Sequence, residues 1–294
     1  MIPAVGRAVG RTGRWLDRPI DGKARIMPED PLAIAIARSL LDLWGSPRQS
    51  TGIEVPDMAA ASRVIAAVRS LREARGERVA GRKIGFSNTT IWPIYGVDRP
   101  IWNYVWDTTL VSLPGAEGAV GVSGFPEPRI EPEIVFHLAM PPEPGMDDGA
   151  LFACIDRVTH GFEIVQSVFP GWAFTAPQSA AAFGLHGALV VGPWHAIDDD
   201  RRAWFSALTD FTVELRRDGV QIATGHARNV LGGPLRALRH LVEALAGDPL
   251  AAPLAAGEIV STGTLTDAFP VTIGSEWVTG FDGIGVNGLR VTCT

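Results

Sequence analysis

The chain has 294 residues, with 26 basic and 32 acidic side chains, a formal charge of −6 and a pI near 5.5. That balance leaves no basic face for phosphates, so no nucleic-acid partner is expected. Hydrophobic residues make up 46% and charged ones 20%, with 33 glycines and 22 prolines, which describes a well-cored globular protein rich in turns, built on one large β-rich core or on two domains.

Residues 1–30 carry Arg7, Arg11, Arg14 and Arg18 among glycines but no apolar run of signal-peptide length, and are expected to form an N-terminal arm. No later stretch is long and apolar enough for a membrane span, so no membrane partner is expected and a cytoplasmic protein is the default. From Pro31, the spacing of Leu32, Ile36, Leu40 and Leu43 predicts a helix, and after Pro56 the run Met58, Ala61, Ile65, Val68 and Leu71 predicts a second. Residues 31–77 are thus read as a helical portion, and 78–294 as a β-rich core of short runs punctuated by Gly and Pro. Leu113 to Pro128 reads as a linker or as a loop beside a site. Further on, Phe211, Val213 and Leu215 alternate with polar residues before Asp218-Gly219, which predicts a hairpin, and Pro234 with Leu235, Leu238, Leu241, Val242 and Leu245 predicts a helix.

Several chemistries drop out. Cys154 and Cys293 stand far apart without a CxxC or Cys/His cluster, which supports neither a disulfide framework nor a thiolate zinc site. Gly283, Gly285 and Gly288 spell GxGxxG, but too little chain follows for the helix that would hold pyrophosphate, so a terminal β-hairpin is expected. Walker A, HExxH and GxSxG patterns are missing.

The strongest local signal is Arg129-Ile-Glu-Pro-Glu-Ile-Val-Phe-His-Leu138. Strand alternation puts Glu131 and Glu133 on one face and Ile130, Ile134, Phe136 and Leu138 on the other. Two neighbouring carboxylates repel unless a cation lies between them, although a solvated strand face would show the same pattern. His160-Gly-Phe-Glu-Ile-Val-Gln-Ser167 reads as an apolar strand with Glu163 at its middle. If it packs beside the first strand, three carboxylates offer oxygen ligands to a hard divalent cation and leave positions open for water or substrate. Finally, Lys83 in Gly81-Arg-Lys-Ile-Gly-Phe-Ser-Asn88 is the only lysine besides Lys23 in a chain that otherwise uses arginine, which hints at a need for a compact ammonium.

Together, GRKIGFSN, the Gly96-Val-Asp98 turn, RIEPEIVF, HGFEIVQS, NVLGGPLRALRHL and AGEIVSTGTLTDAFPV resemble, in order and spacing, the 2-keto-4-pentenoate hydratase and 4-oxalocrotonate decarboxylase branch of the fumarylacetoacetate hydrolase superfamily, over roughly residues 30–294. The resemblance implies an α+β fold, a mixed rolled β-sheet core with an N-terminal helical portion. It implies that Glu131, Glu133 and Glu163 are ligands to Mg²⁺ or Mn²⁺, and that Lys83 and Asp98 are catalytic acid/base groups. Ser87, Gln166, Thr262 and Thr264 are implied in substrate binding, the threonines holding a carboxylate. Gln166 stands where the family's pattern usually has an aspartate, and no lysine follows Lys83, which argues against the C–C hydrolase branch.

The implied reaction is hydration of a 2-hydroxydienoate or 2-oxo-4-enoate to a 4-hydroxy-2-oxo acid in aromatic-compound catabolism. Decarboxylation of a 2-oxo-3-enedioate and metal binding without turnover are the alternatives. A small-molecule 2-oxo acid is then the partner, and a homo-oligomer the expected state. Burial and a nearby cation are expected to lower the Lys83 pKa toward neutrality. Phe169, Trp172 and Phe174, close after Gln166, are expected to set specificity at the aliphatic end of the substrate.

Overall fold

A computed structural model describes residues 30–89, 92–95 and 97–294. Apart from Asp30, the expected N-terminal arm lies outside the described residues. Helix α1 (Pro31–Leu43) starts where the Asp30 carboxylate accepts from the backbone N–H groups of Leu32 and Ala33, with proline in the first turn. Helix α2 (Met58–Ala74) is capped the same way by Asp57. The buried stripe of α1 is Ala33, Ala37, Leu40 and Leu41, turned from the expected one, and Leu32 faces outward. Small residues line the face that α1 turns inward, where Ala33 and Ala37 share one apolar cluster with Ala61 and Val64 of α2, and a stripe judged by residue size alone misplaces that face.

Strand β1 (Val79–Gly85) follows, then the single-turn helix α3 (Trp92–Tyr95), β2 (Ile101–Trp106), β3 (Leu110–Ser112), β4 (Glu117–Val120) and β5 (Arg129–Leu138). Helix α4 (Asp148–Ala153) leads into β6 (Ile155–Val165), α5 (Ala176–Ala181), β7 (His186–Val191), the short β8 (His195–Ala196) and α6 (Arg201–Ala207). The predicted hairpin is β9 (Thr212–Arg217) with β10 (Val220–His226), and the predicted late helix is α7 (Pro234–Gly247). Strands β11 (Ile259–Thr264), β12 (Phe269–Pro270), β13 (Glu276–Asp282) and β14 (Arg290–Cys293) complete the chain, the last pair forming the hairpin around Gly283 to Gly288.

Among the described residues these strands make two curled sheets, one of nine strands ordered β2-β1-β11-β5-β6-β7-β3 with β12 and β8 paired alongside, the other of five ordered β10-β9-β13-β14-β4. Both are mixed, because β1 pairs parallel with β11, β3 with β7 and β4 with β14, while the remaining neighbours are antiparallel. The expected α+β class with a rolled mixed sheet is therefore the observed one. The stretch from Leu113 to Pro128 is part of the fold: it supplies β4, and the Phe125 ring packs against Gly187 at the start of β7.

Strands β11, β5 and β6 are adjacent at the centre of the larger sheet. Ile130, Ile134, Phe136 and Leu138 of β5 are fully buried on one face, which forces the intervening odd positions to the other. No helix among the described residues is long and apolar enough to cross a membrane.

Candidate active site

The antiparallel register of β5 and β6 sets Glu131 directly opposite Glu163, and Glu133 opposite Gly161. Glycine at that position lets the strands lie close to β7, since a Cβ there would meet the Val190 carbonyl oxygen at 2.9 Å. One carboxylate oxygen from each of Glu131, Glu133 and Glu163 lies within 4.8 Å of the others. Glu133 and Glu163 have no exposed surface, while Glu131 keeps a partly exposed edge.

Each buried carboxylate has one oxygen pinned by the protein and one left over. Glu133 Oε2 accepts from the Ser261 hydroxyl at 2.5 Å and from the Gly263 N–H at 2.9 Å, whereas Oε1 has no hydrogen-bond partner. Glu163 Oε1 lies 2.7 Å from His186 Nδ1, whereas Oε2 makes only an ion pair by distance, 3.2 Å from Lys83 Nζ, without hydrogen-bond alignment. The other imidazole nitrogen, Nε2, is 2.9 Å from the Thr109 hydroxyl. Burial, with Lys83 and Arg72 nearby, holds the His186 pKa well below its ordinary value, so the ring is neutral; an Nδ1–H donating to Glu163 then leaves Nε2 to accept from Thr109. Glu133 Oε1 and Glu163 Oε2, neither of them hydrogen-bonded, form with Glu131 an all-oxygen donor set that suits a hard divalent cation.

The electrostatics show the same unmet need. Burial, with the other carboxylates adding to it, pushes the pKa values of Glu131 and Glu133 up to about 8, against the pull of Lys83; Glu163 is raised as well. That burial is complete by surface at Glu133 and partial at Glu131. Lys83 departs from the sequence expectation. Burial pulls its pKa down, but Glu163, Glu131 and Glu133 more than offset this and hold it above the ordinary lysine value. The ammonium, 2% exposed, also donates to the Gly184 carbonyl at 3.0 Å. Gly184 sits between Phe183 and Leu185, and all three have left-handed backbone, which turns that carbonyl toward β1.

A cavity of about 60 Å³ opens beside this cluster, with Lys83, Ser87, Arg129, Glu131, Trp172 and Thr264 in its wall. A larger hollow of about 490 Å³ between α2 and α7 contains none of these groups. Ser87 is buried with its hydroxyl unpartnered. Thr264 reaches the cavity, but its hydroxyl donates to the Thr266 carbonyl at 2.8 Å. Thr262 donates to the Ile134 carbonyl at 2.9 Å and is not in the cavity wall. Gln166 spends its amide on the His186 carbonyl at 3.1 Å. Asp98 is not brought to the cluster: its side chain is 78% exposed and pairs with Arg99 at 2.8 Å. Trp172 and Phe174 are in the cavity wall, while Phe169 is buried behind, its ring 6.1 Å from that of Phe174.

Sequence reasoning passed over His186, Ser261, Gly263 and Arg129. His186 and Ser261 lie in apolar runs without ligand spacing, and only their neighbours in space identify them. Arg129 did carry a signal, since it falls two residues before Glu131 and therefore on the same strand face.

The C-terminal domain of fumarylacetoacetate (FAA) hydrolase matches residues 118–292, a span containing all three clustered carboxylates. A 2-hydroxyhexa-2,4-dienoate hydratase of Comamonas testosteroni is 27% identical over 223 residues, 76% of this chain and 81% of that one. A 4-oxalocrotonate decarboxylase of Pseudomonas sp. (strain CF600) is 28% identical over 256 residues, 86% of this chain and 92% of that one. Among solved structures, a 4-oxalocrotonate decarboxylase from Pseudomonas putida G7, complexed with magnesium and adipate, superposes with a TM-score of 0.79 at 23% identity, over 90% of this chain and 98% of that one. With the profile covering more than half of its length and the ExE strand inside the match, the chain belongs to the fumarylacetoacetate hydrolase family.

Proposed function

We propose that the protein is a divalent-metal-dependent hydro-lyase that hydrates a 2-hydroxydienoate or its 2-oxo-4-enoate tautomer to a 4-hydroxy-2-oxo acid. The observation that carries this reading is the split of the two buried carboxylates beside Glu131: each has one oxygen held by hydrogen bonds, while Glu133 Oε1 has no partner and Glu163 Oε2 has only the Lys83 ion pair. Glu131, Glu133 and Glu163 would hold the ion. When bound, Mg²⁺ or Mn²⁺ would supply Lewis acidity that stabilises negative charge on the oxygens of a 2-oxo acid.

The chain's own residues do the rest. Lys83 Nζ, fixed between Gly184 O and Glu163 Oε2, holds a proton in a site closed to bulk water and delivers it to the dienol carbon chain on ketonisation. A cation among the three carboxylates would cancel the field that raises the lysine pKa, bringing it back toward a value useful for transfer. Ser87, buried with a free hydroxyl in the cavity wall, is proposed to orient a substrate oxygen or the attacking water. Trp172 and Phe174 flank the apolar part of the substrate. The partly exposed side chains of Arg129 and Phe174 both stand in the cavity wall. Asp98 would take part in proton transfer only with the turn that carries it drawn inward.

Decarboxylation of a 2-oxo-3-enedioate is the second reading, favoured by relatives of that name at the same level of identity. It needs the same enolate and the same lysine. Incubation with Mg²⁺ and a panel of 2-hydroxydienoates decides: formation of a 4-hydroxy-2-oxo acid, lost in Glu133→Gln, is expected. CO₂ release instead selects the decarboxylase, and neither product in metal-loaded protein leaves metal binding without turnover.

A further inference from the structure

Phe183, Gly184 and Leu185 have φ 60°, 58° and 65° in succession, although two of them carry bulky side chains that the left-handed region disfavours. Such a turn persists only where its surroundings over-determine it. Backbone supplies part of the hold: the Leu185 N–H donates to the Ala182 carbonyl at 3.0 Å, and the Leu185 carbonyl accepts from the Gln166 N–H at 2.8 Å. The buried side chain of Phe183 supplies the rest, its ring meeting that of Trp44 edge-on with centroids 4.6 Å apart. Trp44 caps the C-terminal end of α1 and is covered in turn by Arg72 of α2, whose guanidinium carbon lies 4.4 Å from the ring centre. An ion pair with Glu77 at 2.8 Å fixes that guanidinium.

The turn presents the outer partners of the Lys83–Glu163 pair. The Gly184 carbonyl accepts from Lys83 Nζ at 3.0 Å, and His186, just beyond the turn, lies against Glu163 Oε1 at 2.7 Å. Gly184 can offer only its backbone here, since a Cβ would meet Asn103 Cβ at 2.9 Å. Relaxation of the turn toward right-handed or extended backbone would rotate the peptide plane that carries this carbonyl away from β1. We propose that Phe183 is a positioning residue: seated on Trp44, it locks the turn so that the Gly184 carbonyl orients the Lys83 ammonium, and the helical portion at residues 31–77 thereby acts on the active site. That this matters for turnover rests on the reading of Lys83 as proton donor above.

The lysine can be observed directly. The chain contains two lysines, Lys23 and Lys83, so ¹⁵N-lysine labelling of the Mg²⁺-loaded protein gives Nζ resonances that Lys83→Arg assigns. In the wild type the Lys83 ammonium hydrogens are expected to be protected from solvent exchange. Trp44→Leu and Phe183→Leu, which keep apolar bulk but remove the ring contact, should speed that exchange about tenfold or more, the scale of losing a hydrogen bond to a charged group. The same variants should lower kcat about 10- to 100-fold, as misplacing a reacting group does, with KM and Mg²⁺ affinity nearly unchanged. Trp44→Phe, which retains an edge-on ring, should keep most of both the protection and the turnover. Wild-type exchange as fast as that of a free ammonium overturns the proposal even if the leucine variants fail to fold. Unchanged exchange in folded variants also overturns it, as does a fall in Mg²⁺ affinity in parallel with kcat, which assigns the turn to the carboxylates through His186. If the wild type turns over no 2-oxo acid, the proton-donor reading falls, and the exchange rates alone decide whether Phe183 positions the lysine.

Discussion

Glu163 divides its two oxygens between His186 and Lys83, and the two neighbours do different work. His186, itself backed by Thr109, fixes the carboxylate rotamer so that one oxygen alone faces Glu131 and Glu133. Outer partners of this kind are worth about 10- to 100-fold in metal affinity. His186→Phe is therefore expected to weaken Mg²⁺ or Mn²⁺ binding by about that factor in calorimetry while the fold persists; unchanged affinity would remove His186 from the site. Lys83 is held in a tight, buried position by one carbonyl and one carboxylate. A guanidinium is planar, larger and unable to give up its proton, so Lys83→Arg should lose turnover by about a hundredfold or more, with metal affinity near normal. Near-wild-type turnover would return Lys83 to a purely structural role. This residue was legible in the sequence through its rarity in a chain of 26 basic residues; His186 was not, because only the fold brings it to Glu163.

At the scale of elements, the site depends on an irregularity in β11. Its pairing with β5 slips between Ser261 and Thr264, and the slip turns both the Ser261 hydroxyl and the Gly263 N–H onto Glu133 Oε2. Gly263 has φ 103°, and a Cβ there would meet Ser87 Oγ at 2.1 Å. Gly263→Ala is thus expected to cost roughly 1–3 kcal/mol of stability from backbone strain and to weaken metal binding along with it, read as a fall in melting temperature and in calorimetric affinity. Adding Ser87→Gly relieves the clash but not the backbone angle, so recovery should be partial; full recovery would show that the angle costs nothing. Alternation made β5 readable, because Ile130, Ile134, Phe136 and Leu138 must all be buried, and Asp218-Gly219 made the β9–β10 hairpin readable. The parallel pairing of β1 with β11 was not readable, since it joins Lys83 to Ser261 across most of the chain and leaves no local mark. Nor was the slip, which alternation alone cannot announce.

For the whole molecule, the carboxylate cluster links folding to protons and to metal. Burial, with the neighbouring carboxylates adding to it, lifts Glu131 and Glu133 from 4.5 to about 8, so without a cation the folded chain binds protons that the unfolded chain has already released. Stability from these groups is complete below about pH 4.5 and is lost as the pH rises through about 8. Two histidines act oppositely at the acid end. Burial lowers His160 to about 4 and His186 well below its ordinary value, so each costs stability as the pH falls below about 6.5. The Lys83 rise lies above 10.5 and does not enter. Between pH 6.5 and 8 the carboxylates therefore dominate, and chelator-treated protein is expected to melt at a falling temperature across that range. A divalent ion that binds only the folded site replaces the protons and stabilises by mass action, more at pH 8, where protons compete less, than at pH 6.5. The Glu131→Gln/Glu133→Gln double variant should have a flatter melting profile over this range and gain nothing from Mg²⁺. A wild-type profile that stays flat in chelator, or an Mg²⁺ gain that persists in the double variant, would separate the cluster from both the pH response and the metal.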